Sequence, residues 1–309
     1  MKKIIVTGAN GFLGQAMVRK LSQDDTIVYA VCKEFDNSAY KKENIRYISL
    51  GEKTMLDLPE LLLDSDFDCM YYFAWVGSAG PLRSDYECQL ENIKNICQTV
   101  EIANKINCKK IIFAASIMEY ECIASFKENS IPSTSNIYSV SKLSAHYIAQ
   151  IIAKNNNIDF FPIVISNVFG EGENSPRLIN STIKKILNGE SVDLTEGTQM
   201  YDFIYIEDAI NAIIAVANNG VPFKDYYLGS PSPRPLKEFL IELSESFDEK
   251  PIMNFGAIKF TGVSLDYYKE FDIYAIKNDT GFVPKYNFNE GIKKTINWIK
   301  NTGENHGRF

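Results

Sequence analysis

Three residues in the middle of the chain have types and spacing suited to proton transfer. Tyr138 and Lys142 form a Y-x-x-x-K pattern, which places both side chains on one face of a helix. A neighbouring ammonium group favours tyrosinate, so such a tyrosine can exchange a proton with a sugar or alcohol oxygen. Ser116 ends a β-rich run, and its hydroxyl can hydrogen-bond the reacting oxygen. Together the three residues predict a catalytic site, against the alternative of ordinary surface side chains.

A glycine-rich segment near the start of the chain has the spacing of a dinucleotide-binding loop. Residues 8–14 read G-x-x-G-x-x-G, directly after a short apolar run and before a helical pattern. Glycines there permit a tight turn and close approach to a pyrophosphate, which the N–H groups of the helix N-terminus bind. The alternative is a simple tight turn. The predicted cofactor-binding residues of this segment are Gly8, Asn10, Gly11, Phe12, Leu13 and Gly14.

The end of the second predicted strand bears on the choice between NAD and NADP. NAD sites place an acid at this position, whereas a nearby cation accommodates the 2′-phosphate of NADP. Cys32 stands at the acid position and Lys33 follows it. The sequence therefore favours NADP(H), with Cys32 and Lys33 at the ribose, and Glu34 keeps NAD(H) open.

The elements that must position these residues alternate between strands and helices. Strands are predicted at 4–6, 26–31, 45–50, 69–74, 110–115 and 160–165, and helices at 12–22, 55–63, 85–104 and 138–154. Uninterrupted apolar strands between helices indicate a parallel sheet covered on both faces. The predicted fold class is α/β, a Rossmann-type doubly wound parallel sheet with a smaller C-terminal substrate-binding α/β lobe. Its ligand crevice lies beyond the carboxyl ends of the strands, where the candidate residues stand.

The domain organisation follows the same pattern. Residues 1–170 are predicted to form the dinucleotide-binding domain and residues 171–309 a smaller, discontinuous lobe, some of whose segments return to the sheet.

Composition excludes several classes of function. The 309 residues carry 32 basic and 39 acidic side chains, and a net charge of −7 argues against nonspecific nucleic-acid binding. No apolar run reaches the length of a membrane span, and the first residues lack a signal-peptide pattern. The six cysteines form no C-x-x-C pair and there are two histidines, so no metal site is expected. We expect a cytoplasmic protein with no membrane partner.

Further motifs extend these observations along the chain. They are residues 72–75 (YFAW), Asn92, Ser116 with Tyr120, 167–170 (NVFG), 201–209 (YDFIYIEDA), 281–284 (GFVP) and Gly291. With the glycine loop and the Y-x-x-x-K pair, the sequence resembles an extended short-chain dehydrogenase/reductase of the NAD-dependent epimerase/dehydratase superfamily, whose members act on nucleotide sugars.

The resemblance implies roles for individual residues. Ser116, Tyr138 and Lys142 would form the catalytic triad, in which Lys142 lowers the pKa of Tyr138 and holds the nicotinamide ribose. The implied cofactor contacts also include Phe73, Ala74, Trp75, Asn92 and Val168, and the implied substrate contacts are Ser116, Asn167, Arg177 and Arg234. The family commonly forms homodimers through the two helices predicted at 85–104 and 138–154.

Departures from the family pattern narrow the reaction. The 4,6-dehydratases of the family carry Asp and Glu directly after the catalytic Ser/Thr, where this chain has Ile117 and Met118, and Glu119 comes one position later. Enzymes of the GDP-fucose synthase type use a Cys and a His where this chain has Met118 and Gly172. Dehydration and 3,5-epimerisation are therefore not expected. The arginine that often binds the diphosphate is replaced by Tyr201.

Three readings of the function stay open. The favoured one is a 4-ketoreductase of a nucleotide-linked 4-keto-6-deoxyhexose that uses external NADPH, and residues 254–258 resemble CDP-abequose synthase-like reductases. The second is a nucleotide-sugar 4-epimerase that keeps NAD bound through oxidation and re-reduction. The third is a non-catalytic cofactor-sensing protein on the same fold.

Overall fold

A computed structural model describes residues 1–35, 40–127 and 136–304. Its strands are β1 (Lys2–Thr7), β2 (Thr26–Cys32), β3 (Ile45–Ser49), β4 (Cys69–Tyr72), β5 (Lys110–Ser116), β6 (Asp159–Ile165), β7 (Asn167–Phe169), β8 (Val192–Leu194), β9 (Met200–Tyr201), β10 (Phe203–Tyr205), β11 (Tyr226–Leu228), β12 (Arg234–Pro235) and β13 (Met253–Phe255). Its α-helices are α1 (Phe12–Leu21), α2 (Leu58–Leu61), α3 (Tyr86–Lys105), α4 (Met118–Lys127), α5 (Asn136–Asn155), α6 (Leu178–Leu187), α7 (Ile206–Asn219), α8 (Leu236–Ser244), α9 (Tyr267–Glu270), α10 (Ala275–Thr280) and α11 (Phe288–Glu304).

Seven parallel strands form the central sheet in the order β11-β6-β5-β4-β1-β2-β3. Every residue of β4 is buried, and so is nearly all of β5, because helices cover both faces of the sheet. The order reverses between β1 and β4, which opens a crevice beyond the carboxyl ends of these strands. The predicted doubly wound Rossmann-type fold is confirmed.

Two helix layers enclose the sheet. α1 and α7 pack against each other in the core on one face, and α3 and α5 do so on the other. On α5 the buried positions Ala145, Ala149 and Ala153 recur every four residues. Their small side chains form one stripe along the helix, so α5 can lie close to the sheet. The same helix carries Tyr138 and Lys142 at its beginning, and close packing therefore fixes both side chains.

One predicted element is wrong, and the helix that directly follows Ser116 was not predicted. The helix expected at 55–63 is a 3₁₀ turn (Met55–Asp57) followed by the single turn of α2. Thr54 and Asp57 form a reciprocal capping box at the start, and the backbone is already extended at Leu62, so no long helix can form. α4 begins two residues after Ser116, and its weak amphipathic pattern gave no signal in the sequence.

The later part of the chain adds three small sheets, β7 with β10, β9 with β12, and β8 with β13. Their core is a cluster of edge-to-face and tilted rings formed by Phe169, Phe203, Tyr205, Phe239 and Phe288. β11 leaves this region and joins the edge of the central sheet beside β6. The division into domains at residue 170 stays a prediction. None of the helices within the described residues has the length and apolar character needed to cross a bilayer.

Candidate active site

A cavity of about 540 Å³ opens at the carboxyl ends of β1, β2 and β4. We call it the glycine-loop cavity. The predicted cofactor residues that line it are Gly8, Asn10, Gly11, Cys32, Lys33, Phe73, Ala74, Trp75 and Asn92. The remaining residues of the loop, Phe12, Leu13 and Gly14, belong to the first turn of α1 and do not line it.

Glycine is required at two positions of this loop by close backbone packing. A Cβ atom on Gly8, whose φ is +66°, would lie 2.7 Å from the backbone nitrogen of Ala74. On Gly14 it would lie 2.1 Å from the carbonyl oxygen of Gly8. Gly11 begins α1 without a capping side chain, so the first N–H groups of the helix are left for another acceptor. This backbone cradle fits the pyrophosphate of a dinucleotide.

Two lysines lie at the ribose end of the glycine-loop cavity. Lys33, predicted from the sequence, and Lys53, which was not, both line the wall beside Cys32. The side chain of Glu34 is not among the lining residues, although its carbonyl oxygen accepts hydrogen bonds from the Asn10 amide (3.1 Å) and the Cys32 thiol (2.9 Å). Burial raises the pKa of Cys32 to about 11, so the thiol is neutral at physiological pH. This part of the cavity wall therefore carries two cationic side chains.

The segment after β4 separates this cavity from a second one. The Asn92 amide is bound to the backbone of Val76 through both of its ends, at 2.9 and 2.8 Å. Gln89 accepts from the Trp75 indole at 3.0 Å and is wholly buried. The Trp75 ring meets the Tyr138 ring edge-on, with centroids 6.0 Å apart. Because both polar atoms of the Asn92 amide are already paired with Val76, Asn92 holds this segment in place rather than contacting a cofactor directly.

The second cavity, of about 420 Å³, contains Ser116 and Tyr138, and we call it the triad cavity. Ser116 ends β5, and its hydroxyl accepts a hydrogen bond from the Met118 N–H at 3.2 Å. Lys142 stands one helical turn after Tyr138. Its ammonium donates to the carbonyl oxygen of Ala114 at 2.9 Å and lies 3.7 Å from the centroid of the Trp75 ring. β5 and α5 thus bring Ser116 and Tyr138 to one cavity, and Lys142 lies buried beside Trp75 without lining either cavity.

Burial controls the protonation of this triad. It raises the pKa of Tyr138, while a hydrogen bond with Ser116 and the guanidinium groups of Arg83 and Arg177 oppose the rise. Burial lowers the pKa of Lys142 to about 7, despite the charge of Glu119. The charges that lower the pKa of Tyr138 are therefore those of the two arginines. The role of Lys142 in lowering it stays a prediction.

Behind Ser116 lies a buried acid–base pair. Glu119 does not line the triad cavity; it accepts from the Ser116 N–H at 2.9 Å and contacts His146 Nδ1 at 2.8 Å. His146 Nε2 lies 3.3 Å from Asp225, at the edge of the core. Burial alone would lower the pKa of His146, but its contacts with Asp225 and Glu119 prevail and raise it to about 9. This carboxylate therefore fixes the backbone at Ser116 rather than facing a ligand.

The walls of the triad cavity come from distant parts of the chain. Of the predicted substrate residues, Asn167 and Arg177 line it, and so does Val168 from the cofactor set. The Asn167 amide also donates to the Asp202 carbonyl at 3.0 Å, which joins β7 to the segment just before β10. Arg177 begins α6 and lies 3.9 Å from Glu173. Tyr201 faces the same cavity where the family often has an arginine.

Arg234 lies apart from the triad cavity. It lines a different cavity, where it forms an ion pair with Glu242 and its guanidinium lies 4.1 Å from the centroid of the Phe239 ring. Its charge is thus already paired within the aromatic core, and the structure does not bring it to the other predicted substrate residues.

Comparisons with known proteins agree with this geometry. Residues 4–229 match the sequence profile of the NAD dependent epimerase/dehydratase family. The chain belongs to this family. Its relatives include CDP-abequose synthase of Salmonella typhimurium, 25% identical with 95% of this chain and 97% of that protein covered. Another is the dTDP-glucose 4,6-dehydratase of Escherichia coli, 30% identical over 58% of this chain and 52% of that enzyme.

Solved structures give the same fold. UDP-glucuronic acid 4-epimerase from Bacillus cereus, in complex with NAD, superposes with a TM-score of 0.75 at 18% identity, covering 97% of this chain and 99% of that one. UDP-N-acetylglucosamine 4-epimerase from the same organism gives 0.77 at 20% identity, with 97% of each chain covered. These structures share the fold, and the family match over residues 4–229 identifies the chain as an extended short-chain dehydrogenase/reductase enzyme.

Three charged residues of the triad cavity, Arg83, Glu121 and Glu173, escaped the sequence analysis, and the first two bear on the triad. Arg83 follows a Gly/Pro-rich loop, and Glu121 follows Tyr120 on α4. Both line the triad cavity. Burial raises the pKa of Glu121 to about 7, against the opposing charge of Arg83. Neither belongs to a motif with fixed spacing from the triad, so no pattern in the sequence marked them.

Proposed function

We propose that the protein is a 4-ketoreductase that reduces a nucleotide-linked 4-keto-6-deoxyhexose with NADPH. One observation carries the proposal above all. Ser116 and Tyr138 line the triad cavity beside the Trp75 wall of the glycine-loop cavity, and the residues that directly follow Ser116 are Ile117 and Met118. These two side chains cannot transfer the protons that elimination of water requires.

The proposed roles follow from positions in the two cavities. A nicotinamide cofactor held along the glycine loop would supply the hydride for C4 of the sugar. Tyr138 gives its phenolic proton to the C4 oxygen, and Ser116 hydrogen-bonds the same oxygen and orients the carbonyl. Lys142, held under Trp75, would contact the nicotinamide ribose. The products are the C4 alcohol and the oxidised cofactor, with Tyr138 left to be reprotonated from solvent.

The charges of the glycine-loop cavity support NADPH. Lys33 and Lys53 line the ribose end, while the side chain of Glu34 does not. A cofactor with a 2′-phosphate gains two cationic neighbours there. Among the described residues, the carboxylate side chain that lines this cavity is Glu91, on α3, rather than one from the segment directly after β2. A reductase exchanges its cofactor every turnover, in contrast to a 4-epimerase, which retains NAD.

The triad cavity supports a nucleotide-sugar substrate. Its walls combine aromatic and apolar side chains with Asn167 and Arg177, a composition suited to a sugar and a diphosphate. The relative of similar length named CDP-abequose synthase is consistent with a deoxysugar substrate. Arg177 is our candidate for the diphosphate, and Arg234 is withdrawn from that role because it is paired with Glu242.

A homodimer is part of the proposal. α3 and α5 pack side by side, and both expose apolar side chains, Leu90 on α3 and Ile148 and Ile151 on α5. An exposed apolar patch on two adjacent helices favours association with a second copy of the chain.

The test incubates the protein with NADPH or NADH and each of a panel of nucleotide-linked 4-keto-6-deoxysugars. Oxidation of the cofactor is measured as the loss of its absorbance. We expect oxidation with NADPH and one of these sugars. Tyr138→Phe should lower kcat by about a hundredfold or more, because it removes the proton donor without removing the ring. Tyr147→Phe, a half-exposed tyrosine on the same helix, is the matched control and should keep full activity.

The other readings give different results. NAD that copurifies and is released on denaturation, with interconversion of C4 epimers, would establish the 4-epimerase instead. Cofactor binding without turnover of any sugar would favour the non-catalytic cofactor-sensing protein.

A further inference from the structure

The guanidinium of Arg83 covers the ring of the candidate acid/base. Its central carbon lies 4.3 Å from the centroid of the Tyr138 ring, and both side chains line the triad cavity. A cation at this distance from a phenol is attracted to the ring face and also favours the phenolate. The sequence pattern assigned that effect to Lys142 alone.

The loop that carries Arg83 is fixed without any ligand. Arg83 lies in the 3₁₀ turn Pro81–Ser84 and donates to the carbonyl oxygen of Ser78 at 3.1 Å. The Gln89 amide, wholly buried, donates to the carbonyl oxygens of Gly77 (3.1 Å) and Leu82 (2.9 Å) on either side of it. The guanidinium is therefore held over the ring by the protein itself rather than by a substrate.

The other charges near Tyr138 are weaker sources of a permanent positive field. Lys142 has its ammonium bound to the Ala114 carbonyl, and burial brings its pKa to about 7, so part of the population is neutral at physiological pH. Arg177 is half exposed and lies 3.9 Å from Glu173. Glu119 acts in the opposite sense from behind Ser116.

Arg83 shares the lining of the triad cavity with Glu121, and the two charges interact. Burial raises the pKa of this carboxyl to about 7, so its negative charge is incomplete near neutral pH. Arginine keeps its charge throughout this range. Of the cations that face Tyr138, Arg83 thus combines ring contact, a fixed loop and a constant charge.

We propose that Arg83 is a positioning residue for Tyr138, and that its guanidinium supplies the constant positive charge that stabilises tyrosinate. When Tyr138 releases its proton to the sugar oxygen, the phenolate formed lies under this cation. The inference rests on the proposed function only in taking Tyr138 as the acid/base. It assigns to Arg83 a task that the sequence pattern gave to Lys142.

The first measurement needs no sugar. Tyrosinate absorbs ultraviolet light differently from tyrosine, so a pH titration of the wild type minus that of Tyr138→Phe isolates the ionisation of Tyr138. The same subtraction between Arg83→Met and the double variant Arg83→Met/Tyr138→Phe gives the ionisation without the guanidinium. We expect it to move to higher pH by about one pH unit. Arg46→Met, an exposed arginine on β3, is the matched control and should leave the titration unchanged.

The second measurement uses the reduction itself. Tyr138 must be protonated to act as the acid, so kcat/KM falls as pH rises through its ionisation. In Arg83→Met this alkaline limb should move to higher pH, kcat should fall about tenfold and KM should change less than threefold. Arg83→Lys should recover part of the shift, because it restores the charge without the planar contact. Arg83→Gln repeats the test if the methionine variant does not fold.

The outcomes separate the two proposals. A raised KM with an unmoved titration and an unmoved alkaline limb would make Arg83 a substrate ligand only, and would overturn the inference. If the wild type reduces no ketosugar but the Tyr138 titration still shifts in Arg83→Met, the reductase proposal fails and the inference on Arg83 stands.

Discussion

The glycine-loop cavity and the triad cavity adjoin at Trp75 and Tyr138 but are built in different ways. The first is shaped by backbone, since it depends on glycines whose neighbours leave no room for a Cβ atom. The second is lined by long charged side chains from separate segments, among them Arg83, Glu121 and Arg177. A cavity whose shape is set by the backbone therefore lies beside a cavity whose character is set by charged side chains.

This difference determines how each half should respond to mutation. Backbone packing tolerates no added atom, so substitutions at the glycine loop should be severe and affect stability and cofactor binding together. Side chains around the triad cavity are partly solvated, so their substitution should be mild for folding and should alter pH dependence or substrate preference.

The strongest test is Gly14→Ala. The added methyl group would lie 2.1 Å from the Gly8 carbonyl oxygen, so the loop and α1 must separate. We expect unfolding free energy to fall by about 2 kcal/mol or more, and affinity for NADPH to fall about a hundredfold. Denaturant unfolding and calorimetric titration with NADPH measure the two effects.

Gly51→Asn is the matched control. Gly51 also has a left-handed φ, +57°, but no atom lies within 4 Å of an added Cβ, and asparagine tolerates this conformation. Its unfolding free energy should change by less than about 0.5 kcal/mol. Equal effects at the two positions would contradict the view that backbone packing builds the glycine-loop cavity.

The second test concerns the wall behind the triad. The pKa of His146 is raised to about 9 by its contacts with Asp225 and Glu119, against burial. Since this pKa lies above that of an unfolded histidine, about 6.5, the stabilisation is complete below pH 6.5 and is lost as pH rises to 9. The difference in unfolding free energy between wild type and His146→Gln should therefore shrink by about 3 kcal/mol across this window. A constant difference would mean that His146 is buried without a proton.

Much of the fold was predictable because its signals are local. Six apolar runs marked strands that now lie in one parallel sheet, and the spacing from Gly8 to Gly14 marked the loop that follows the first. The helix expected at 55–63 failed because a capping box and an early extended residue favour a turn there. Hydrophobic periodicity does not register either feature.

The site was predictable in part, for a related reason. Tyr138 and Lys142 are neighbours in sequence, and Ser116 ends a strand, so the topology alone brings them to one edge of the sheet. Arg83 reaches Tyr138 from a loop 55 positions earlier in the chain, through a turn fixed by the buried Gln89. Arg234 failed in the opposite way, because its ion pair with Glu242 depends on packing that the sequence does not display.

The third test examines the charges of the glycine-loop cavity. The double variant Lys33→Ala/Lys53→Ala removes both cations from the ribose end. We expect affinity for NADPH to fall about tenfold and affinity for NADH to stay within about twofold, because only NADPH carries the 2′-phosphate. Lys154→Ala, an exposed lysine on α5, should change neither. Equal losses for both cofactors would assign the lysines to the pyrophosphate or to general folding.

The last test concerns Glu121, where a charge of the triad cavity opposes folding. Burial raises the pKa of this carboxyl to about 7, above its value of about 4.3 in an unfolded chain. The folded protein therefore loses stability relative to Glu121→Gln as pH rises from 4.3 to 7, and the variant should be about 1 to 2 kcal/mol more stable at pH 8. At pH 4 the two should be equal. Glu238→Gln, an exposed glutamate on α8, should show no such gain. If the variant is less stable than the wild type at pH 8, the ionised carboxylate of Glu121 stabilises the fold. The charge in the triad cavity would then not lower the stability of the protein.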